Sequence, residues 1–556
     1  TLSAGTGAID LQGAVGGNID LTSLTVASGG TLNLPSVTTT GAQSYLVTGN
    51  LTLGGDLTTA GGDLTLSSAT TLSGGARTLS TGTGGGAITF ADTLNGATDL
   101  TLSAGTGAID LRGAVGGDTD LTSLTVANGG GLSLSAVTTT GNQSYSVAGD
   151  IRLGGNLSGG DLLLTTASSI DVQPGVRVVS TSEGDIEFTA EGGANHEGYG
   201  IRIQPNASAS SYDLSTALVT SGTGTITLKG TGGQVSSPSS QGIFMPELDG
   251  ADEQSVLIAT ASGDITLTGT GGTWDADGAT TVTQVAGLAL RSATMRTTGG
   301  GAIAVTGTGP TGKPAPPGTG YDLRDGVVLE KGVILKTAVE NPTSLADDYG
   351  AITVTGTGYG DGKGIDGGAG AATRTIRAGK GGVTLTGTSQ DQPNDGASGF
   401  GSGILLRATT VTADGGGVTL TGTGGTVSGR GVSVWAGSRL GDSATTRLTV
   451  TGEAQSDSSN DFGLELDDTD LKAAGPIFLK GNATGGGVRI VDTRGVDATL
   501  KGHQVTVQGR STGGNGVRVA GLRNTTVDGD LLIQGEGGSG SSNYGMEISD
   551  SDFTVT

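Results

Sequence analysis

Apolar and polar residues alternate in short runs along the whole chain, and Gly residues separate the runs. In one run, apolar Val418 and Leu420 alternate with Thr419 and Thr421. Because successive side chains of a β-strand point to opposite faces, this pattern predicts a strand with one buried and one wetted face. Comparable runs begin at Ile186, Ile226, Ile265, Ile303, Ile352, Val383, Leu448, Ile477, Val505 and Leu531.

Each run is followed by a second run that Gly opens and by a third, shorter one. Gly431–Val434 and Thr410–Ala413 are examples of the second and the third kind. A unit this short cannot bury its own apolar residues, so the repetition predicts a stack in which each coil covers the next. We predict an all-β, right-handed parallel β-helix, an elongated rod of roughly 20 coils that each rise about 4.8 Å.

In such a stack the apolar pairs of successive first runs form continuous ladders. Val383 and Leu385 are expected to lie next to Val418 and Leu420 in the following coil. Gly residues that follow a run, such as Gly422, are expected to turn the corner. The Pro-bearing segment Gly309–Gly318 cannot join a ladder, because Pro lacks a donor, and is predicted to form a protruding loop.

Two zones differ in regularity. Residues 1–180 form the regular zone, in which residues 1–50 and 101–150 are near-copies of each other. Residues 181–556 have longer coils of variable length, which indicates a constant core with protruding loops. The chain begins and ends within a repeat, so we expect it to be a segment of a longer protein.

Composition and charge limit the partners. The chain has 110 Gly but only 12 Pro, which excludes a collagen triple helix, and no Cys. Its formal net charge of −24 disfavours nucleic acid and anionic lipid as partners. No apolar stretch reaches the length of about 18 residues that a membrane-spanning helix needs. These features favour a secreted, extracellular protein without a membrane span.

Candidate catalytic chemistry is sparse, and the sequence predicts no enzyme and no catalytic residue. His196 and His503 are expected in surface loops. Acidic residues 467–470 beside Lys472, together with residues 550–552, are the nearest match to the acid clusters of polysaccharide lyases on β-helices. Outward positions of the second strands would instead form ion pairs, predicted between Glu465 and Arg489 and between Arg518 and Glu547.

Two further surface patterns suggest ligands. Calcium would suit the acidic, Gly-rich segments 247–253, 275–278 and 361–366, but none has a full calcium-binding motif, so we predict solvated turns and no cofactor. Outward Thr pairs are expected to stack into rows that could order water, as in an ice-binding protein. The members of these rows are Thr266 and Thr268, Thr353 and Thr355, Thr384 and Thr386, Thr419 and Thr421, and Thr449 and Thr451.

Segments Leu100–Leu111 and Gly49–Leu57, with the Ile/Val-Thr-Leu-Thr-Gly-Thr-Gly units, resemble the central rod of filamentous haemagglutinin-like exoproteins. That resemblance implies a bacterial adhesin exported by two-partner secretion through an outer-membrane transporter. We therefore expect the stalk of a cell-surface adhesin or filament that attaches to a host or neighbouring cell, a glycan or an abiotic surface. The alternatives are a lyase or glycan-binding β-helix, a filament subunit that self-associates end to end, and an ice-binding threonine array.

Overall fold

We describe the protein from a computed structural model of its 556 residues, in which every regular element of the described part is a β-strand. By their internal contacts the residues form two units. Unit 1 comprises Thr1–Gly193 and Ile201–Thr227, and unit 2 comprises Ala194–Gly200 and Leu228–Thr556. The predicted zone boundary at residue 180 stays a prediction. The described residues are 1–192, 198–206, 216–233, 240–247, 256–275, 285–313, 323–330, 332–337, 350–368, 373–390, 401–493, 498–523, 525–540 and 543–556.

Unit 1 winds through three columns of parallel strands, in which equivalent residues of successive coils pair, as Leu132 does with Ile151. The first column comprises Leu2–Ser3, Leu24–Ser28, Gln43–Tyr45, Leu64–Leu66, Ile88–Phe90, Ala108–Leu111, Gly131–Leu134, Ile151–Leu153, Ile170–Val172 and Ile201–Ile203. The second comprises Ile9–Asp10, Leu32–Leu34, Leu51–Leu53, Thr70–Leu72, Leu94–Asn95, Val137–Thr138, Leu157–Gly159, Arg177–Ser180 and Ala217–Val219. The third comprises Val37–Thr39, Leu57–Thr59, Arg77–Ser80, Asp99–Ser103, Ser123–Asn128, Gln143–Val147, Leu162–Thr166 and Ile186–Ala190. The strand Ile226–Thr231 has its first two residues in unit 1 and its other four in unit 2.

The core of unit 1 contains a buried polar pair that occurs twice, once in each copy of the duplicated block. The Tyr45 hydroxyl donates to Gln43 Oε1 at 2.8 Å, and Gln43 Nε2 donates to the carbonyl oxygen of Thr58 at 2.8 Å. Tyr145 and Gln143 form the equivalent 2.8 Å bond. Burial raises the pKa of both Tyr hydroxyls above the ordinary value, so each stays a neutral donor.

Unit 2 also winds through three columns of parallel strands. We call them first, second and third strands after the first, second and third runs of the sequence analysis. The first strands are Ile265–Thr270, Ile303–Thr308, Ile352–Gly360, Val383–Gln390, Gly417–Thr423, Arg447–Glu453, Ile477–Ala483, Val505–Ser511 and Leu531–Glu536. The second strands are Ile243–Met245, Val285–Leu290, Leu323–Leu329, Ile365–Asp366, Ile404–Arg407, Val432–Trp435, Phe462–Asp467, Gly486–Val491, Val517–Ala520 and Met546–Ser549. The third strands are Val256–Thr260, Ala293–Thr297, Ile334–Lys336, Arg374–Ala378, Thr409–Ala413, Arg439–Leu440, Asp470–Lys472, Leu500–Gly502, Thr525–Val527 and Phe553–Val555.

The predicted aliphatic ladder is confirmed in unit 2. Leu420 is fully buried and pairs with Leu385 on one side and Val450 on the other. The same in-register pairing links each first strand from Ile265–Thr270 to Leu531–Glu536. Each fully buried aliphatic side chain contributes about 1.5–3 kcal/mol, so stacked coils stabilise one another. The fold is a parallel β-helix in each unit, and its right-handedness stays a prediction.

The prediction that Gly422 turns the corner was wrong. The strand Gly417–Thr423 runs through Gly422 without a turn, and a Cβ there would lie 2.1 Å from the carbonyl oxygen of Gly431 in the second strand region. Equivalent Gly pairs recur along unit 2, so the first and second strands approach each other backbone to backbone. The left-handed turns lie before the first strand instead, at Gly415 with φ +83° and at Gly382 with φ +78°.

The Pro-bearing segment behaves differently from the predicted loop over part of its length. Thr311–Lys313 is a short strand that pairs in parallel with Thr273–Asp275 to form a separate two-stranded sheet. Pro310 is buried and precedes this strand, so the backbone N–H that Pro lacks is not needed for the strand pairing. The remaining residues of the segment, 314–318, lie outside the described part.

Candidate functional site

The first strands of unit 2 present outward Thr side chains in three columns rather than the two that the sequence predicted. The third column arises because each strand continues past its buried Gly to one more outward residue. We call these eighteen positions in six successive coils the threonine grid. Its members, coil by coil, are Thr266, Thr268 and Thr270; Ala304, Thr306 and Thr308; Thr353, Thr355 and Thr357; Thr384, Thr386 and Thr388; Thr419, Thr421 and Thr423; and Thr449, Thr451 and Glu453.

The grid is regular in both directions. The five strand pairings that build it contain no register shift. Outward residues of one strand are therefore about 6.6 Å apart, and equivalent residues of neighbouring coils are about 4.8 Å apart. Every grid position is exposed or half-exposed. The whole grid measures roughly 13 Å along the strands and roughly 24 Å across the coils.

The next coil ends the grid with side chains of other kinds. Phe478 pairs with Thr449, and Lys480 pairs with Thr451. The guanidinium of Arg447 lies over the Phe478 ring, 4.8 Å from its centroid, and its Nε donates to Thr449 Oγ1 at 3.3 Å. The grid is thus bounded on this side by a bulky and charged border.

The outer face of the second strands has the opposite character over five successive coils, where its residues are buried. Val328, Asp366, Leu405, Ser433 and Glu465 occupy equivalent outward positions of five successive coils, and none is more than 6% exposed. Other parts of the chain cover these residues, so the face is a second packed layer outside the tube.

Buried charges in this layer form compact ion-pair groups. Lys363 Nζ lies 3.0 Å from Asp366 Oδ2 and 3.9 Å from Asp325 Oδ1, and all three side chains are at most 13% exposed. Burial lowers the pKa of Lys363, but the two carboxylates raise it more, so its pKa lies above the ordinary value. Residues 361–366 are therefore not the solvated turn that the sequence predicted.

A second group surrounds Glu465, whose side chain is only 4% exposed. Arg489 reaches its carboxylate at 2.6 Å and Arg430 at 2.8 Å, while Trp435 Nε1 donates to it at 3.2 Å. The Arg430 guanidinium also lies 5.0 Å from the centre of the Trp435 ring. The predicted pair of Glu465 and Arg489 is confirmed, but the buried setting and the added partners were not predicted.

Arg518, Glu547, His503 and Asp470 are more exposed than the members of these groups. Arg518 and Glu547 form the predicted pair at 3.6 Å in a partly exposed setting. His503 is exposed at a bend, with Nδ1 3.8 Å from a carboxylate oxygen of Asp528. Asp470 Oδ2 lies 3.8 Å from a guanidinium nitrogen of Arg439.

Predicted residues in several segments lie outside the described part. These are His196 and most of the acidic segments 247–253 and 275–278. In the described ranges, no group of three or more His, Cys, Asp or Glu side chains could hold a metal ion. The same ranges contain no helix that is long and apolar enough to cross a bilayer.

The threonine grid and the buried charges are the features of the described residues that bear on function. No protein-family model, curated protein or solved structure matches the chain.

Proposed function

We propose that the chain is a structural stalk segment of a secreted bacterial cell-surface adhesin or filament, holding loops that attach to a cell, glycan or abiotic surface. The observation that supports this most is the in-register aliphatic ladder of unit 2. Nine first strands rise about 38 Å by the inter-strand spacing, and the first eight each carry a buried aliphatic pair. Such a stack resists bending because every coil is hydrogen-bonded to both neighbours.

Charge and composition support an extracellular setting for this stalk. The formal net charge of −24 keeps neighbouring rods apart in solution. The chain contains no Cys, so passage through an outer-membrane transporter would not be hindered by premature disulfides.

The alternative function, a polysaccharide lyase, has weaker support, because the buried charged residues do not supply the neutral base that a lyase needs. A lyase needs a general base that is neutral when the substrate arrives, and Lys363 is the basic side chain paired with the carboxylates of Asp325 and Asp366. Because Asp325 and Asp366 raise its pKa, Lys363 is held protonated and serves as an ion-pair partner.

Localisation on intact cells tests the proposal. Antibodies raised against the purified chain, used for immunogold labelling of unpermeabilised cells of the source organism, should mark the outer surface. Preimmune serum is the control. Label that appears only after permeabilisation would contradict the stalk, and release of unsaturated sugars from acidic polysaccharide by the purified chain would favour the lyase.

A further inference from the structure

The threonine grid is chemically uniform in a way that the rest of the surface is not. Sixteen of its eighteen positions are Thr, and the exceptions are Ala304 and Glu453. Only one ionisable side chain therefore occupies the grid, although the chain has 52 acidic and 28 basic residues. A neutral face disfavours charged polymers, which are held mainly by opposite charge.

The grid hydroxyls are also available to an outside partner. Thr449 Oγ1 accepts from Arg447 Nε at 3.3 Å. Within the described ranges no other grid hydroxyl has a hydrogen bond to a protein group. Thr is β-branched and restricted at χ1, and each strand is fixed by hydrogen bonds to both neighbouring coils. The strands thus restrict the positions of the hydroxyls and methyls, and nearly all of these hydroxyls make no hydrogen bond to the protein.

We propose that the threonine grid binds ice. Its repeats of about 6.6 Å and about 4.8 Å approximate the oxygen repeats on the surfaces of hexagonal ice. Hydroxyls at these spacings anchor waters by hydrogen bonds, and the methyls between them confine the neighbouring waters, so the first water layer merges with the crystal. Ice is uncharged and flat, which matches the neutral and unshifted face. The proposal does not depend on the stalk function.

Ice binding can be measured directly on the whole chain. A fluorescently labelled sample should be taken up into a slowly growing ice hemisphere and should produce thermal hysteresis. Thr386→Tyr and Thr421→Tyr each place a ring on the centre of the grid, so each should lose most of the hysteresis and be excluded from the ice. Thr386→Lys should have the same effect with a side chain that stays solvated.

The matched control is Thr506→Tyr. Thr506 is also half-exposed on the same sheet, but lies two coils beyond the last grid coil. This variant should keep the uptake and the hysteresis of the unaltered chain. Circular dichroism melting curves must show that every variant is folded.

Three outcomes would overturn the proposal. The first is exclusion of the unaltered chain from ice, and the second is normal uptake of Thr386→Tyr and Thr421→Tyr. The third is a grid that mediates association between copies, seen as a dimer by light scattering that Thr421→Tyr dissociates while hysteresis is absent.

Discussion

Replacing Gly422 with Ala tests how the two sheets of unit 2 meet. The added Cβ would lie 2.1 Å from the carbonyl oxygen of Gly431 and 2.7 Å from Val432 Cγ2. A carbonyl oxygen of a hydrogen-bonded strand cannot rotate aside, so one of the two sheets must move. Overpacking of this kind costs about 1–3 kcal/mol. We expect Gly422→Ala to lower the free energy of unfolding by at least about 2 kcal/mol.

A second glycine of the same strand provides the control. At Gly417 the nearest atoms to an added Cβ are the carbonyl oxygen of Arg447 at 3.6 Å and its Cβ at 3.9 Å, which are ordinary contacts. Gly417→Ala should therefore be neutral, or stabilising by about 0.5–1 kcal/mol because Ala loses less backbone entropy on folding. Both variants change Gly to Ala within Gly417–Thr423, so helix or strand propensity cannot explain a difference between them.

Hydrogen–deuterium exchange is the preferred assay, because solenoids can open locally and a single global midpoint would average over many coils. Peptides that cover residues 403–453 should exchange faster in Gly422→Ala, while peptides from unit 1 should be unchanged. Urea titration followed by circular dichroism gives an independent stability comparison. Equal exchange and equal urea midpoints for the two variants would refute the proposed backbone-to-backbone contact.

Three other perturbations separate buried from exposed interactions. Leu420→Ala should cost about 2–5 kcal/mol in urea titrations because it opens a cavity in the ladder, whereas Thr419→Ala should change stability by less than about 0.5 kcal/mol. Glu465→Ala should cost about 3–5 kcal/mol because two Arg residues lose a carboxylate that is only 4% exposed, and Glu547→Ala about 0–1 kcal/mol, in the same titrations. Tyr45→Phe should cost about 1–3 kcal/mol by leaving a buried amide oxygen without its donor. Because burial raises the pKa of Tyr45 above the unfolded value of about 10, its contribution is complete below about pH 10 and is lost as the pH rises beyond it, which urea midpoints on both sides of that pH would show.

The ladder and the ion pairs could be predicted because both follow from the period of two and from the parallel register. Once Val418 and Leu420 are assigned to the interior, the next coil must place Leu448 and Val450 beside them. Exact strand ends were less predictable: the run expected at Gly431–Val434 forms the strand Val432–Trp435.

The buried outer layer could not be predicted from the same reasoning. Alternation indicates that Asp366 and Glu465 point away from the tube, but it does not indicate what covers them. That depends on connecting segments of variable length and irregular sequence, which carry no periodic signal. The strand register predicts one partner of Glu465, Arg489, but it does not predict the other two, Arg430 and Trp435.

The third column of the threonine grid was missed because Gly was taken as the end of the strand. A Gly between two Thr residues is equally compatible with a strand whose inward side chain has been removed, and the recurrence of Gly in both the first and second runs was the available signal. One sequence feature therefore has two consequences. The inward Gly lets the sheets touch, and the continued strand adds the outer Thr. If this reasoning is right, Gly422→Ala should also reduce uptake into ice although every grid Thr is retained, because the displaced sheet no longer holds Thr421 and Thr423 in the plane of their neighbours.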